Sequence, residues 1–187
     1  MKRNFLLYCC LMQILVACAP APSWQVIHET EVTSGATYQV VLPAGWMRNP
    51  ANKEALFISL DGPALQGITI QEASHHEAFK KIKGISTPDI LPSELAELTL
   101  ALTKNEFAAS RVVLLKNTPA LVAGHQGFRL HFKYETSKGL DYEGIITGFA
   151  TSEQVYIIKY YGTSLHYFPR DLPVYEEVVQ SFQVTGE

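Results

Sequence analysis

The chain has 187 residues, of which 47% are hydrophobic and 18% charged, and its formal net charge is −3. Those values exclude a disordered polymer and a generally basic nucleic-acid binder, and the length suits one globular domain. Cysteine occurs only at Cys9, Cys10 and Cys18, so residues 19–187 can form neither an internal disulfide nor a thiolate metal site.

Lys2 and Arg3 precede a mostly apolar run over residues 5–16, which ends at Ala17-Cys18. Two cations followed by an apolar run of this size form a secretory signal. The run is shorter than the ~20 apolar residues that cross a bilayer. Leu15-Val16-Ala17-Cys18 resembles the lipobox of bacterial lipoproteins. There a thiol at the bilayer surface accepts diacylglycerol, and a small residue before it lets the signal peptidase close on the backbone. An ordinary cleaved signal with an incidental cysteine is the competing reading. The position of Ala17-Cys18 directly behind the charged start and the apolar run favours the lipobox. Cys10 follows Tyr8-Cys9, which are too bulky to compete.

The expected division is a signal peptide over 1–17, a lipidated Cys18 with a Pro-rich tether over 18–23, and one domain over 24–187. Removing 1–17 takes away Lys2 and Arg3 and no acid, which leaves a mature charge near −5. The five residues 19–23 include Pro20 and Pro22 and reach only ~15–18 Å when fully extended, so the domain is expected close to its membrane. Ala19 stands where an aspartate acts as an inner-membrane retention signal in enterobacteria-like sorting. That resemblance points to the outer membrane, facing the periplasm.

Residues 24–33 alternate in part and predict a first strand. Ser34-Gly35 is a turn, 38–42 a second strand stopped by Pro43 and Gly45, and 55–60 and 67–72 a third and fourth joined at Asp61-Gly62-Pro63. Residues 75–83 suggest a short helix. Ser93 is placed to cap a longer helix running to about Ala108, with Glu94 and Glu97 in its first turn and Leu95, Leu98 and Leu102 on one face. Residues 111–116 read as strand. Phe128, Leu130, Phe132 and Tyr134 alternate with Arg129, His131, Lys133 and Glu135, so that strand buries one face. Strands at 142–151 and 155–161 follow, then a last helix starting near Pro173 with Tyr175, Val178, Val179 and Phe182 on one face. The class is α+β, an antiparallel sheet flanked by helices.

Tyr38-Gln-Val-Val-Leu-Pro-Ala-Gly-Trp46, Ala123-Gly-His-Gln-Gly-Phe-Arg-Leu130 and Gln180-Ser-Phe182 together resemble the punctuation of the PsbP-like superfamily, which includes PsbP and LpqN-type lipoproteins. The resemblance spans about residues 25–185. It implies an α/β/α sandwich with a binding or assembly role, and it carries no catalytic residue to transfer.

His75-His76-Glu77 is the most metal-like stretch, but sequence neighbours diverge on either a helix or a strand and converge poorly on one ion. No His-x-x-x-His spacing, nucleophile elbow or phosphate-binding glycine loop is present. His125, His131 and His166 are scattered. Arg129, His131 and Lys133 share a strand face, either lining an anion groove or forming a solvated or helix-covered face held by carboxylates. Tyr156, Tyr160, Tyr161, Tyr167 and Phe168, with His166, form either a partner surface or core packing.

These features imply a non-enzymatic, lipid-anchored envelope protein. It carries no catalytic residue, cofactor or metal, engages an envelope protein partner and no nucleic acid. A carrier of a small apolar or anionic ligand, held between sheet and helices, is the alternative. Cys18→Ser is expected to abolish labelling by radioactive fatty acid and to release the body in soluble form; a variant that labels like the parent would refute the lipidation site.

Overall fold

The computed structural model describes residues 24–107 and 111–185. The signal peptide, Cys18 and the tether lie outside the described residues. Eleven strands, β1 (Gln25–Val26), β2 (Glu31–Ser34), β3 (Tyr38–Leu42), β4 (Met47–Arg48), β5 (Leu56–Ser59), β6 (Gln66–Ser74), β7 (Arg111–Val122), β8 (His125–Glu135), β9 (Asp141–Ala150), β10 (Gln154–Thr163) and β11 (Gln183–Val184), alternate with three helices. The helices are α1 (His75–Ala78), α2 (Pro92–Glu106) and α3 (Tyr167–Ser181), with a 3-10 turn at Lys80–Ile82. No helix of the described residues is long and apolar enough to cross a membrane.

An eight-stranded sheet runs β1-β4-β5-β6-β10-β9-β8-β7, and every neighbouring pair is antiparallel. Alternation decides its two faces. Phe128, Leu130, Phe132 and Tyr134 of β8 are buried toward one side with Leu95 and Ala96 of α2 and with Phe79. Tyr156, Ile158 and Tyr160 of β10, together with Ile145 and Phe149 of β9, are buried toward the other, against Tyr175, Val178 and Phe182. Each such side chain contributes ~1.5–3 kcal/mol when removed from water. The class is therefore α+β, as the periodicity predicts.

Several boundaries differ from expectation, each for a local reason. Residues 24–33 form two strands in two different sheets, because Ile27 is buried and exchanges backbone bonds with Trp46 and Gly45 (2.8 and 2.7 Å), turning the chain between them. β2 and β3 belong with β11 to a second, three-stranded sheet on the α3 side. Residues 75–83 divide into α1 and the 3-10 turn, ended by Lys83 in the left-handed region (φ 54°).

Ser93 does not cap α2. Pro92 occupies the first helical position, where its missing N–H is no loss, and the Glu94 carboxylate accepts the Leu91 N–H at 3.1 Å. The helix ends at Glu106, where the carboxylate pairs with Lys159 at 2.6 Å; Ala108 lies outside the described residues. The last helix begins at Tyr167, with Pro173 inside it. The Tyr160 hydroxyl reaches the Tyr167 and Phe168 carbonyls (2.8 and 2.9 Å) and fixes a first turn that the proline alone would not reveal.

β7 continues past Lys116 to Val122. It is an outer strand, so Pro119, which has no N–H to give, is tolerated there. Its register shifts between Leu114 and Lys116, leaving Leu115 as the extra residue of a bulge.

Gly148 and Gly144 on β9 leave room for two rings on the α2 side. A Cβ at Gly148 would lie 2.7 Å from Phe128 Cζ and 2.8 Å from Ile157 Cδ1, and one at Gly144 2.4 Å from Phe132 Cζ. Gly148→Val should cost ~1–3 kcal/mol by overpacking, seen as a lower urea midpoint with an unchanged slope. An unshifted midpoint would show that Phe128 moves aside freely.

Candidate functional site

His75 and His76 are the first two residues of α1 and point apart, one into the body and one into solvent. His75 is buried, with Nδ1 2.7 Å from Ser86 Oγ and Nε2 3.0 Å from the Thr151 carbonyl oxygen, and so ties two loops together. His76 is exposed beside Glu77 at 2.9 Å, and that contact and Lys80 hold the Glu77 carboxyl below its usual range. Among the described residues no group of three or more histidine or acidic side chains is arranged to hold a metal ion.

The row on β8 is largely covered by α3. The Arg129 guanidinium makes a two-pronged pair with Glu176, one arm at 3.1 Å, and lies 5.6 Å from the centre of the Tyr175 ring. His131 Nε2 is 2.8 Å from Glu143 and its ring stacks on Phe168. Lys133 is exposed farther along. Helix and carboxylates thus occupy most of what an anion would have met.

Tyr156, Tyr160 and Phe168 of the aromatic run are buried, and Tyr161 and Tyr167 are partly so. The Tyr156 hydroxyl lies 2.7 Å from Thr37 Oγ1, Tyr161 donates to the Pro63 carbonyl at 2.6 Å, and Phe168 is buried. Tyr167 lies under Arg170, whose charge Asp171 and Asp61 reinforce. His166 is exposed before α3, and His125 stacks on Phe149.

A different feature is open. A groove of about 750 Å³ runs between the first turn of α2 and the far end of the β7–β8 hairpin. Leu91, Pro92 and Ser93 form one wall, Asn117, Pro119 and Leu121 the other, and Gly127 and Phe128 the floor. Leu121 is 73% exposed and Leu91 59%, so apolar side chains meet water at both lips. No ionisable side chain lines it. It is therefore suited to bury an apolar group with a few hydroxyl and amide contacts, and it offers no acid or base.

Sequence reading missed this groove because its walls are some thirty residues apart and β7 was expected to end at Lys116. The signal available was a leucine within two residues of a proline at both 91–92 and 119–121.

Burial raises the phenols of Tyr38 and Tyr161 to about 12, with help from Glu72 and Tyr142 respectively, and raises those of Tyr134, Tyr160 and Tyr175 as well. An unfolded phenol ionises near ~10. Folded values above this mean that the neutral rings stabilise the fold fully below about pH 10, a contribution lost as pH rises toward the folded values. Ultraviolet titration should show these five silent near pH 10 and ionising only as structure is lost. Full tyrosinate absorbance with near-ultraviolet dichroism intact would contradict this.

No family profile and no curated protein sequence matches the chain. Solved structures do. Cyanobacterial PsbP (CyanoP) from Synechocystis sp. PCC 6803 superimposes with a TM-score of 0.56 at 10% identity, over 84% of this chain and 94% of that one. The Ran-binding protein Mog1p of Saccharomyces cerevisiae gives 0.52 at 10% identity over 83% and 96%. PA94, a protein of unknown function from Pseudomonas aeruginosa, gives 0.51 at 14% over 82% and 95%. At such identities the likeness is one of fold, and the chain shares the α+β fold of these structures, PsbP among them.

Proposed function

We propose that this chain is a lipid-anchored, periplasm-facing lipoprotein that acts as a non-enzymatic binding or assembly module in a bacterial envelope. The observation that carries the binding role is the open groove between α2 and β7, where exposed Leu91 and Leu121 meet water at both lips. A groove with apolar lips and the polar groups of Ser93, Asn117 and Gln126 along it suits an apolar side chain or short segment of another envelope protein. Support for the anchor is the lipobox-like Leu15-Val16-Ala17-Cys18 behind a signal. Support for a binding role in general is the shared fold with a Ran-binding protein.

A second reading uses the same groove. Its volume of about 750 Å³ falls within the ~300–1,000 Å³ of small-molecule sites, so a small apolar ligand carried there is the alternative. Native mass spectrometry of the delipidated protein would show the extra mass.

Leu121→Asp places a charge at the groove lip without touching the core. Crosslinking from intact membranes should lose the reproducible protein adducts of the parent. Adducts that persist unchanged in this variant would remove the groove as the partner site, and a parent that yields none would count against a protein partner.

A further inference from the structure

One part of the large sheet lies outside the cover of α2. The strand residues in the core beneath that helix come from β7, β8, β9 and β10, with none from β1, β4, β5 or β6 among the described residues. Ile58 of β5 and Ile68 and Ile70 of β6 are buried on the opposite, α3 side. The alternate positions of these strands therefore point to the α2 side. Register places Val26, Met47, Phe57, Gly67, Thr69 and Gln71 there.

No ionisable side chain stands among them. Nearby charges point elsewhere or sit at the margins. Arg48 bonds Glu31 and Gln25 on the opposite face, both at 3.3 Å. At one end Lys80 pairs with Glu77 (3.2 Å) and Lys81 with Glu54 (3.9 Å), with Lys53 exposed beside them. At the other end Asp61 is held by Arg170, and toward α2 Lys159 pairs with Glu106.

Aromatic rings fill the strip between these margins. Gly67 leaves the space in which Phe57 sits: a Cβ there would lie 2.5 Å from that ring and 3.1 Å from the Tyr161 hydroxyl. Phe57 in turn meets Trp24 edge to face at 5.6 Å. Trp24, Met47 and Phe57 are half-buried, and Val26 is 50% exposed. An uncharged aromatic strip open to water marks an interaction surface.

The position of Trp24 selects the occupant. It is the first described residue, and five residues separate it from Cys18. Gln25 lies opposite Arg48 and Val26 opposite Met47, so the chain before Trp24 runs along the β1 border, away from the 60–65 turn. A tether of that length reaches at most ~18 Å, which keeps Cys18 beside this border. The strip thus opens at the border from which the anchor leaves. Half-buried Trp and Tyr with lysines at the margin are what a bilayer interface accepts. The groove lies by β7 at the far border, seven strand spacings away, or ~34 Å at ~4.8 Å each.

We infer that the β1 border and the Trp24–Phe57 strip beside it rest on the lipid surface, so that the α2–β7 groove is held at the far border, clear of the membrane. This rests on the reading of Cys18 as the lipid anchor.

The test uses the lipidated chain in phosphatidylcholine vesicles. Cys18 is the only cysteine of the mature chain, so Val26→Cys and Leu121→Cys each offer one free thiol to an environment-sensitive fluorophore. The label at 26 should shift to the blue and be quenched several-fold by brominated lipid, and that at 121 should do neither. Brominated lipid should also quench the intrinsic fluorescence, and Trp24→Phe should remove that response, since Trp46 is buried. A vesicle-bound chain whose label at 26 reports water, or shifts to the blue without quenching because a second copy covers it, overturns the orientation and leaves the anchor standing. A Cys18→Ser chain that sediments with vesicles as the parent does, or a parent that fails to bind them, overturns the anchor and the orientation together. Val26→Asp separates packing from lipid contact: it should keep the parent melting temperature and lose most of the Trp24 quenching. Undiminished quenching at that melting temperature would show that the strip does not rest on lipid.

Discussion

Four stacked rings hold the molecule's layers in register. Phe149 of β9 packs on Tyr156 of β10 at 4.9 Å, both meet Phe182 edge-on at 5.9 and 5.6 Å, and Phe182 stacks on Tyr38 of β3 at 5.0 Å. The large sheet, the end of α3 and the small sheet thus share one contact. Each aromatic pair adds ~0.5–1.5 kcal/mol beyond the area it buries. Phe182 can serve all three because the helix stops at Ser181 and the chain turns extended, with Ser181 Oγ accepting the Val41 N–H at 3.0 Å. β11 then pairs with β3, and the small sheet is closed by the same residues that end the helix.

The two faces of the large sheet are treated differently as a result. On the α3 side, charge is used to fasten a helix: Arg129 and Glu176 meet partly shielded from water, where losing either partner leaves the other poorly solvated. On the α2 side the strands offer mostly apolar and small side chains, with Lys159 pairing to Glu106 at the helix end, and α2 lies across them at a distance set by Phe128 and Phe132 in their glycine slots. Where the β7–β8 hairpin extends beyond α2, the groove opens. Its existence follows from strand length, and its hydrophobicity from the face of the pleat that β7 turns that way.

Periodicity made the long elements legible. The alternation in 128–135 and the leucines at 95, 98 and 102 identify β8 and α2, and the Leu42-Pro43-Ala44-Gly45-Trp46 punctuation marks a strand end with Trp46 buried as a plug. Short elements carried no such signal. β4 is two residues long, and the break between β1 and β2 depends on Ile27 meeting Trp46, a contact no window of sequence contains. The start of α3 was hidden because the tyrosine that anchors it sits on the preceding strand. Capping failed at Ser93 because Leu91-Pro92 offered another start that uses Glu94 equally well. The candidate site was the least legible, since a groove is a relation between two segments while each wall alone reads as an ordinary loop or edge.

The outer strand β7 is twelve residues long and has a partner on one side only. A row of backbone groups of that length is a template on which another chain can add a strand. Chains confined to the plane of a membrane, as proposed, meet far more often than chains free in solution, so a regular edge would invite lateral polymerisation. Pro119 withholds one donor, the extra residue at Leu115 breaks the spacing, and Lys116 follows it with an exposed charge. β1, at the other border, is only two residues long. The irregularities of β7 are thus suited to keeping each copy separate on a crowded surface, leaving recognition to side chains in the groove.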